Sequence, residues 1–180
     1  MIKARAVPAP TCVLTPLYAG ADLVDAFAIS LPAGIGDDVE ALARAAFEHL
    51  PGWIRALLAI RDAVMATVGV KSTGQIGAAA AARGAAIGFF PLLSKGPDAL
   101  VVGEDDRHLD FRAAILIRAD TAGGRELVAV TVVHCHNRLG RAYLAAITPF
   151  HRVIVRANLE QAVRTMVSRL GSRQLPQIVS

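Results

Sequence analysis

Apolar and polar residues alternate along this chain with two different periods, and the changes of period divide it into elements. Between Tyr18 and Leu31, Phe27, Ile29 and Leu31 alternate with Ala28 and Ser30, which predicts a half-buried first strand that Pro32-Ala33-Gly34 ends. Asp37 or Asp38 then stands where a short carboxylate accepts from open first-turn N–H groups, and Asp37 with Glu40 has the spacing of a capping box. Val39, Leu42, Ala43, Ala46, Phe47 and Leu50 share one helical face up to Pro51-Gly52, and Trp53, Leu57, Ile60, Val64 and Val68 repeat the pattern. Two short tandem helices follow from this. Residues 70–85, rich in alanine and glycine, show no period and read as an irregular connection. The period of two returns in strand-like pieces at 87–93, 100–103, 107–118 and 126–136, separated by Lys95-Gly96-Pro97-Asp98 and Asp120-Thr121-Ala122-Gly123-Gly124 as turns. That is an antiparallel meander.

Beyond Asn137 the helical period resumes, with Leu139, Tyr143, Ala146 and Ile147 on one side and Phe150, Ile154, Ala157 and Leu159 continuing it. Pro149 either kinks one long helix or opens a second. The helix is expected to reach Leu170, with Gly171 beyond its end. Residues 1–21, with Pro8, Pro10 and Pro16, read as an extended arm, 22–171 as the domain and 172–180 as a frayed tail.

Length adds that 180 residues suffice for one domain with a sizeable core. The hydrophobic share is 54% and mean hydropathy +0.46. Even so, the longest apolar tract, 76–93, is broken by Arg83, Gly77, Gly84, Gly88 and Pro91, so no membrane span is expected. The early prolines also interrupt any secretory hydrophobic region. Cys12 and Cys135 match neither a disulfide framework nor a zinc spacing, which points to reduced thiols and a cytoplasmic location. A net charge of +4, carried mostly by arginine and spread along the chain, argues against a nucleic-acid partner. The arginines Arg152, Arg156, Arg164, Arg169 and Arg173 recur at helical spacing as a solvated face.

Chemistry-bearing residues concentrate between Gly103 and Arg156, which holds four of the five histidines. Strand alternation puts Leu109, Phe111, Ala113, Ile115 and Ile117 on one face and His108, Asp110, Arg112 and Arg118 on the other. A hairpin closed near 121–124 would bring His108 near His136 and Asp110 near His134, making a polar cluster of His108, Asp110, Arg112, His134 and His136. Two imidazoles on one strand face with a carboxylate opposite could form a metal or acid–base site, but pairing that pins strand to helix explains the same residues. No resident metal or cofactor is expected. Cys135 faces the apolar side as a buried, inert thiol. Glu104-Asp105-Asp106 lacks calcium-loop spacing and reads as a turn or bulge. Asn137 to Arg141 lacks the ending of a phosphate loop.

The element order, with the motifs GEDDRHLDFR (Gly103 to Arg112), HNRLGRAYL (His136 to Leu144) and PFHRVIVR (Pro149 to Arg156), resembles a bacterial family of unknown function within the START-like superfamily, also called SRPBCC or polyketide-cyclase-like. The resemblance implies an α+β helix-grip fold: a curved antiparallel sheet wrapped around a long C-terminal helix, with two short helices after the first strand. It also implies a cavity between sheet and helix for a small hydrophobic or amphipathic molecule. Candidate lining residues are Phe89, Phe111, Ile115, Tyr143, Phe150 and Ile154. Arg112, His136, Arg141 and Arg152 are expected to be structural. One alternative is a cyclase- or hydrolase-type enzyme with His108, Asp110, His134 or His151 as acid or base. Another is a homodimeric interaction module that exposes Val128, Val130 and Val132.

Overall fold

Strands buried on one face or on both build a seven-stranded antiparallel sheet among the described residues of the computed structural model, which are 2–47, 51–56, 59, 62, 74, 77, 86–120 and 123–173. The strands are β1 (Arg5–Val7), β2 (Leu23–Leu31), β3 (Ala86–Ile87), β4 (Phe90–Lys95), β5 (Ala99–Asp105), β6 (Leu109–Ala119) and β7 (Arg125–Cys135), in the order β1-β2-β7-β6-β5-β4-β3. Helices α1 (Val39–Phe47) and α2 (Arg138–Arg173) pack on them. This is an α+β, helix-grip-like architecture, as the element order predicts. The β6–β7 hairpin has the expected register, with Asp110 opposite His134 and the His136 N–H donating to the His108 carbonyl at 2.9 Å.

The inner sheet face carries Phe27, Ile29, Leu100, Val102, Ile115 and Leu127, all at most 2% exposed, against Leu42 and Ala46 of α1 and Leu159 and Ala162 of α2. Burying each large side chain contributes about 1.5–3 kcal/mol, so this layer holds the helices on the sheet. The outer face differs from expectation. Val128, Val130 and Val132 are no more than 1% exposed, because Leu14 packs on that face, with Val7, Ala9, Cys12 and Tyr18 against it. The stripe assigned to dimerisation is therefore covered by the chain's own N-terminal residues. Those residues, aperiodic in sequence, include β1, paired with β2, and a 3-10 turn at Thr15–Leu17. The Tyr18 hydroxyl donates to the Pro10 carbonyl at 2.7 Å, and burial together with Cys12 beside it pushes its pKa up to about 12.

The first strand begins at Leu23 rather than Tyr18, since Tyr18 is taken up by the turn. Asp38, not Asp37, caps α1: its Oδ1 accepts from the Ala41 N–H at 3.0 Å, while Asp37 pairs with Arg125. Glu40 sits one position too early for a box and bridges Arg44 and Lys95 instead. Of the second tandem helix, residues 52–56 are helical; Leu57, Ile60, Val64 and Val68 lie outside the described residues. Gly74 and Gly77 are helical, although their stretch shows no period; the rest of 70–85 also lies outside. Between β3 and β4, Gly88 takes φ +60° in a two-residue turn. A Cβ there would lie 3.0 Å from the Phe47 carbonyl oxygen, so glycine lets the hairpin close on the end of α1.

Helix α2 is one 36-residue element with Pro149 inside it, roughly 54 Å long at 1.5 Å per residue. An interior proline costs about 3 kcal/mol. Leu144, buried with Val133 and Cys135 before it, and Leu159, Ala162 and Val163, buried after it, offset that cost. The helix also passes the predicted stop: Gly171 is inside it. Its course follows β2, with His151 against Asp25, the Arg156 guanidinium 5.0 Å from the Phe27 ring centroid, and the Glu160 carboxylate accepting from the Ala4 N–H at 3.3 Å.

Candidate functional site

Pairing aligns the inner face in rows. Phe27, Ala129, Ile115 and Leu100 form an apolar row across β2, β7, β6 and β5. The next row toward the start of α2 reads Asp25, Thr131, Ala113 and Val102, and the one after it Leu23, Val133, Phe111 and Glu104. Polar side chains thus enter a face whose continuation is apolar. Asp25 and Glu104 stand three strands and one row apart, roughly 16 Å at the usual spacings, with Phe111 and Ala113 between them. Glu104, 6% exposed, lies within β5 rather than in a turn; the turn begins at Asp106.

From α2, His151 reaches this face. Its Nε2 is 3.2 Å from Asp25 Oδ1, and Arg152 Nε lies 4.0 Å from Asp25 Oδ2, within ion-pair but beyond hydrogen-bond range. The Asp25 side chain is 12% exposed and that of His151 21%, so the pair is shielded but open to solvent on the imidazole side. Asp25 Oδ2 is buried with no hydrogen-bond partner among the described residues, and so is Asn158 Oδ1. Asn158 follows His151 by seven residues, two turns further along the same side of α2, about 10.5 Å away. Buried polar atoms in native proteins are nearly always satisfied, so these two acceptors beneath one helix stand out, as does the buried His108 Nε2, which also has no hydrogen-bond partner among the described residues.

An aromatic group flanks the polar rows. Phe90 meets Phe47 edge-on with centroids 5.7 Å apart and Phe111 at 5.3 Å, and Phe89 tilts against Phe90 at 4.1 Å. All four rings are only partly buried. They join α1, the β3–β4 hairpin and the middle of the sheet.

The other residues singled out by sequence are placed as follows. Ile115 is 2% exposed within the core, Ile154 and Tyr143 are partly buried, and Phe150 is 53% exposed. Of the histidine-rich motif, Asp110, His134 and His136 are brought together by the strand register, while the Arg112 and His108 side chains take other partners. His136 Nε2 pairs with Asp110 Oδ1 at 3.0 Å, and His134 Nε2 meets the Leu17 carbonyl at 2.9 Å. Arg112 pairs with Asp105 at 2.5 Å and donates to the Phe111 carbonyl. His108 is 8% exposed, its Nδ1 against the Asn137 side-chain amide at 3.1 Å. Among the described residues no group of three His, Cys, Asp or Glu is placed to hold a metal. Arg141 pairs with Asp22, whose other oxygen accepts from the Cys135 N–H at 2.7 Å. That N–H, with Arg141, holds the Asp22 carboxyl below its ordinary range. Burial pushes the Cys135 thiol up, as an inert thiol requires.

Asp25, Thr131 and Asn158 were not singled out from the sequence, and Glu104 was read only as part of an acidic turn or bulge. Their signal was available: Asp25 is the polar member of the inner stripe Leu23, Asp25, Phe27, Ile29, and Glu104 follows Leu100 and Val102 at the same spacing.

Fold and site together define a helix-grip-like domain with a few polar side chains, the Asp25–His151 pair among them, set into a largely apolar inner face. The chain belongs to the family of proteins of unknown function DUF2867, whose model matches residues 17–158. No curated protein and no solved structure shows a significant match.

Proposed function

We propose that this chain is a START-like domain that binds a small hydrophobic or amphipathic molecule on the inner face of the sheet, between β4–β7, α1 and the first half of α2. The observation that carries the reading is the adjacency, on one face, of partly buried rings and unsatisfied buried polar atoms. Pockets for small molecules are mostly apolar with a few placed polar groups, and this face has that composition. Phe47, Phe89, Phe90 and Phe111 would meet the apolar body, while Asp25, His151 and Asn158 would orient its polar end. Among the described residues no helix is long and apolar enough to cross a membrane, which is in keeping with a ligand taken up from solution.

Native mass spectrometry of the purified protein, set beside its denatured mass, tests this. The expected result is an added small-molecule mass that denaturation releases. A preparation that is empty and also fails to enhance the fluorescence of anilinonaphthalene sulfonate, an apolar probe, would refute it.

A further inference from the structure

We propose that Asp25 and His151 form a base that removes a proton from the polar end of the bound molecule, an inference that rests on the inner face being a small-molecule site. The hydrogen bond assigns the tautomer. An ionised carboxylate only accepts, so Nε2, 3.2 Å from Asp25 Oδ1, carries the ring proton and the Nδ1 lone pair is free to accept another. His151 is carried on α2 two residues after Pro149 and Asp25 on the paired strand β2, so the two side chains that meet stand on rigid elements. The His151 side chain is 21% exposed, so the ring is not sealed in the core.

A mere pin between helix and sheet explains less. It would not require a carboxylate oxygen, Asp25 Oδ2, buried without a hydrogen bond and with only the Arg152 Nε at 4.0 Å to face it, nor a second polar atom without a hydrogen bond, Asn158 Oδ1, along the same helix face. Those atoms are suited to a ligand that brings its own donors. The chemical class that fits is an apolar body with a hydroxyl, an enol or a C–H beside a carbonyl. In the step, Nδ1 takes the proton, the O–H or C–H electron pair stays on the substrate as an alkoxide or enolate, and the imidazolium is compensated by the Asp25 carboxylate. The proton then returns to the substrate or to water, so no other reactant is needed. His151 would be the catalytic residue and Asp25 the positioning residue.

The test uses nitrobenzisoxazole, an apolar probe that reacts by proton abstraction alone. The base takes the carbon-bound proton, the C–H pair completes a nitrile, and the N–O bond breaks to release a coloured phenolate. The full chain should exceed an equal concentration of free imidazole. His151→Gln should lower the rate about 100-fold, the ordinary scale of general base catalysis, while still binding anilinonaphthalene sulfonate. Asp25→Asn, which removes the orienting acceptor, should fall similarly. Added imidazole should restore the rate in His151→Ala, a rescue that a structural pin does not give. Probe binding with no rate above free imidazole, or a rate unchanged in His151→Gln, overturns the base and leaves the binding site standing. Failure of both probes overturns the binding reading and the base with it.

Discussion

Two glycines of α2 should respond to the same substitution with opposite signs. Gly140 lies in the first turn, where its N–H donates to Asn137 Oδ1 at 3.0 Å, and the backbone of His108 passes directly beside it. A Cβ at Gly140 would overlap the His108 carbonyl oxygen and lie 3.0 Å from its carbon. That oxygen is not free to move, since it accepts from the His136 N–H at 2.9 Å at the end of the β6–β7 ladder. Gly140→Ala must therefore give up the cap, worth about 1 kcal/mol, or the ladder bond, worth about 1 kcal/mol, on top of about 1–3 kcal/mol of overpacking. Helix propensity returns about 1 kcal/mol. The net expectation is a loss of about 2 kcal/mol, or a midpoint lower by roughly 4–8 °C for a chain of this size. At Gly171 nothing lies within 4 Å of an added Cβ, so Gly171→Ala should gain about 0.5 kcal/mol. Urea unfolding of both variants beside the parent chain, with unchanged slopes, measures the two signs. A Gly140→Ala protein as stable as the parent, or more so, refutes the argument that the helix start is packed onto the His108 backbone.

The Asp22 carboxyl, held below its ordinary range by the Cys135 N–H and Arg141, stabilises the fold above the ordinary carboxylate pKa, and that contribution is lost as pH falls through the lowered folded value. Asp22→Asn should therefore be less stable than the parent near neutral pH, and the gap should close in acid; a gap constant with pH contradicts the assignment. Removing residues 1–17 uncovers Val128, Val130 and Val132, which Leu14 and its neighbours now cover. Sedimentation should then report a mass that rises with concentration, beyond any rise in the full chain, and an unchanged profile would show that the outer face has no need of its cover.

Where local period and tertiary role coincide, the sequence was readable. The β6–β7 register followed from face alternation and one turn, and the long helix from its 3.6 period. The arm was less readable because its packing has no period: Leu14 and Tyr18 are isolated apolar positions among prolines, and only the folded sheet shows what they cover. The helix end was misplaced for a related reason. A glycine stops a helix only where the chain has something better to do, and α2 continues through Gly171 to Arg173.

Asp25 was passed over for a more instructive reason, although His151, its partner, was a candidate. Histidine density drew attention to 103–156, where several of the polar side chains pair on the outer face or with the N-terminal turn, Asp110 with His136, His134 with Leu17 and Arg112 with Asp105, and only His151 reaches Asp25. Density of functional groups is a weak guide when strand alternation sends them outward. The stronger guide is a polar residue at a position its own stripe marks as apolar. Asp25 precedes Phe27, Ile29 and Leu31 at the core-facing spacing, and Thr131 falls between Ala129 and Val133. A carboxylate at such a position loses hydration that solvent-facing carboxylates keep, and it persists in a folded chain only with a compensating partner. Here that partner, His151, arrives from a helix 126 residues later in the chain. The Asp25–His151 contact is non-local and so invisible to spacing, but the anomaly that calls for it is local. A search for polar residues inside apolar stripes would have placed Asp25 and Glu104 on the candidate list from the sequence alone.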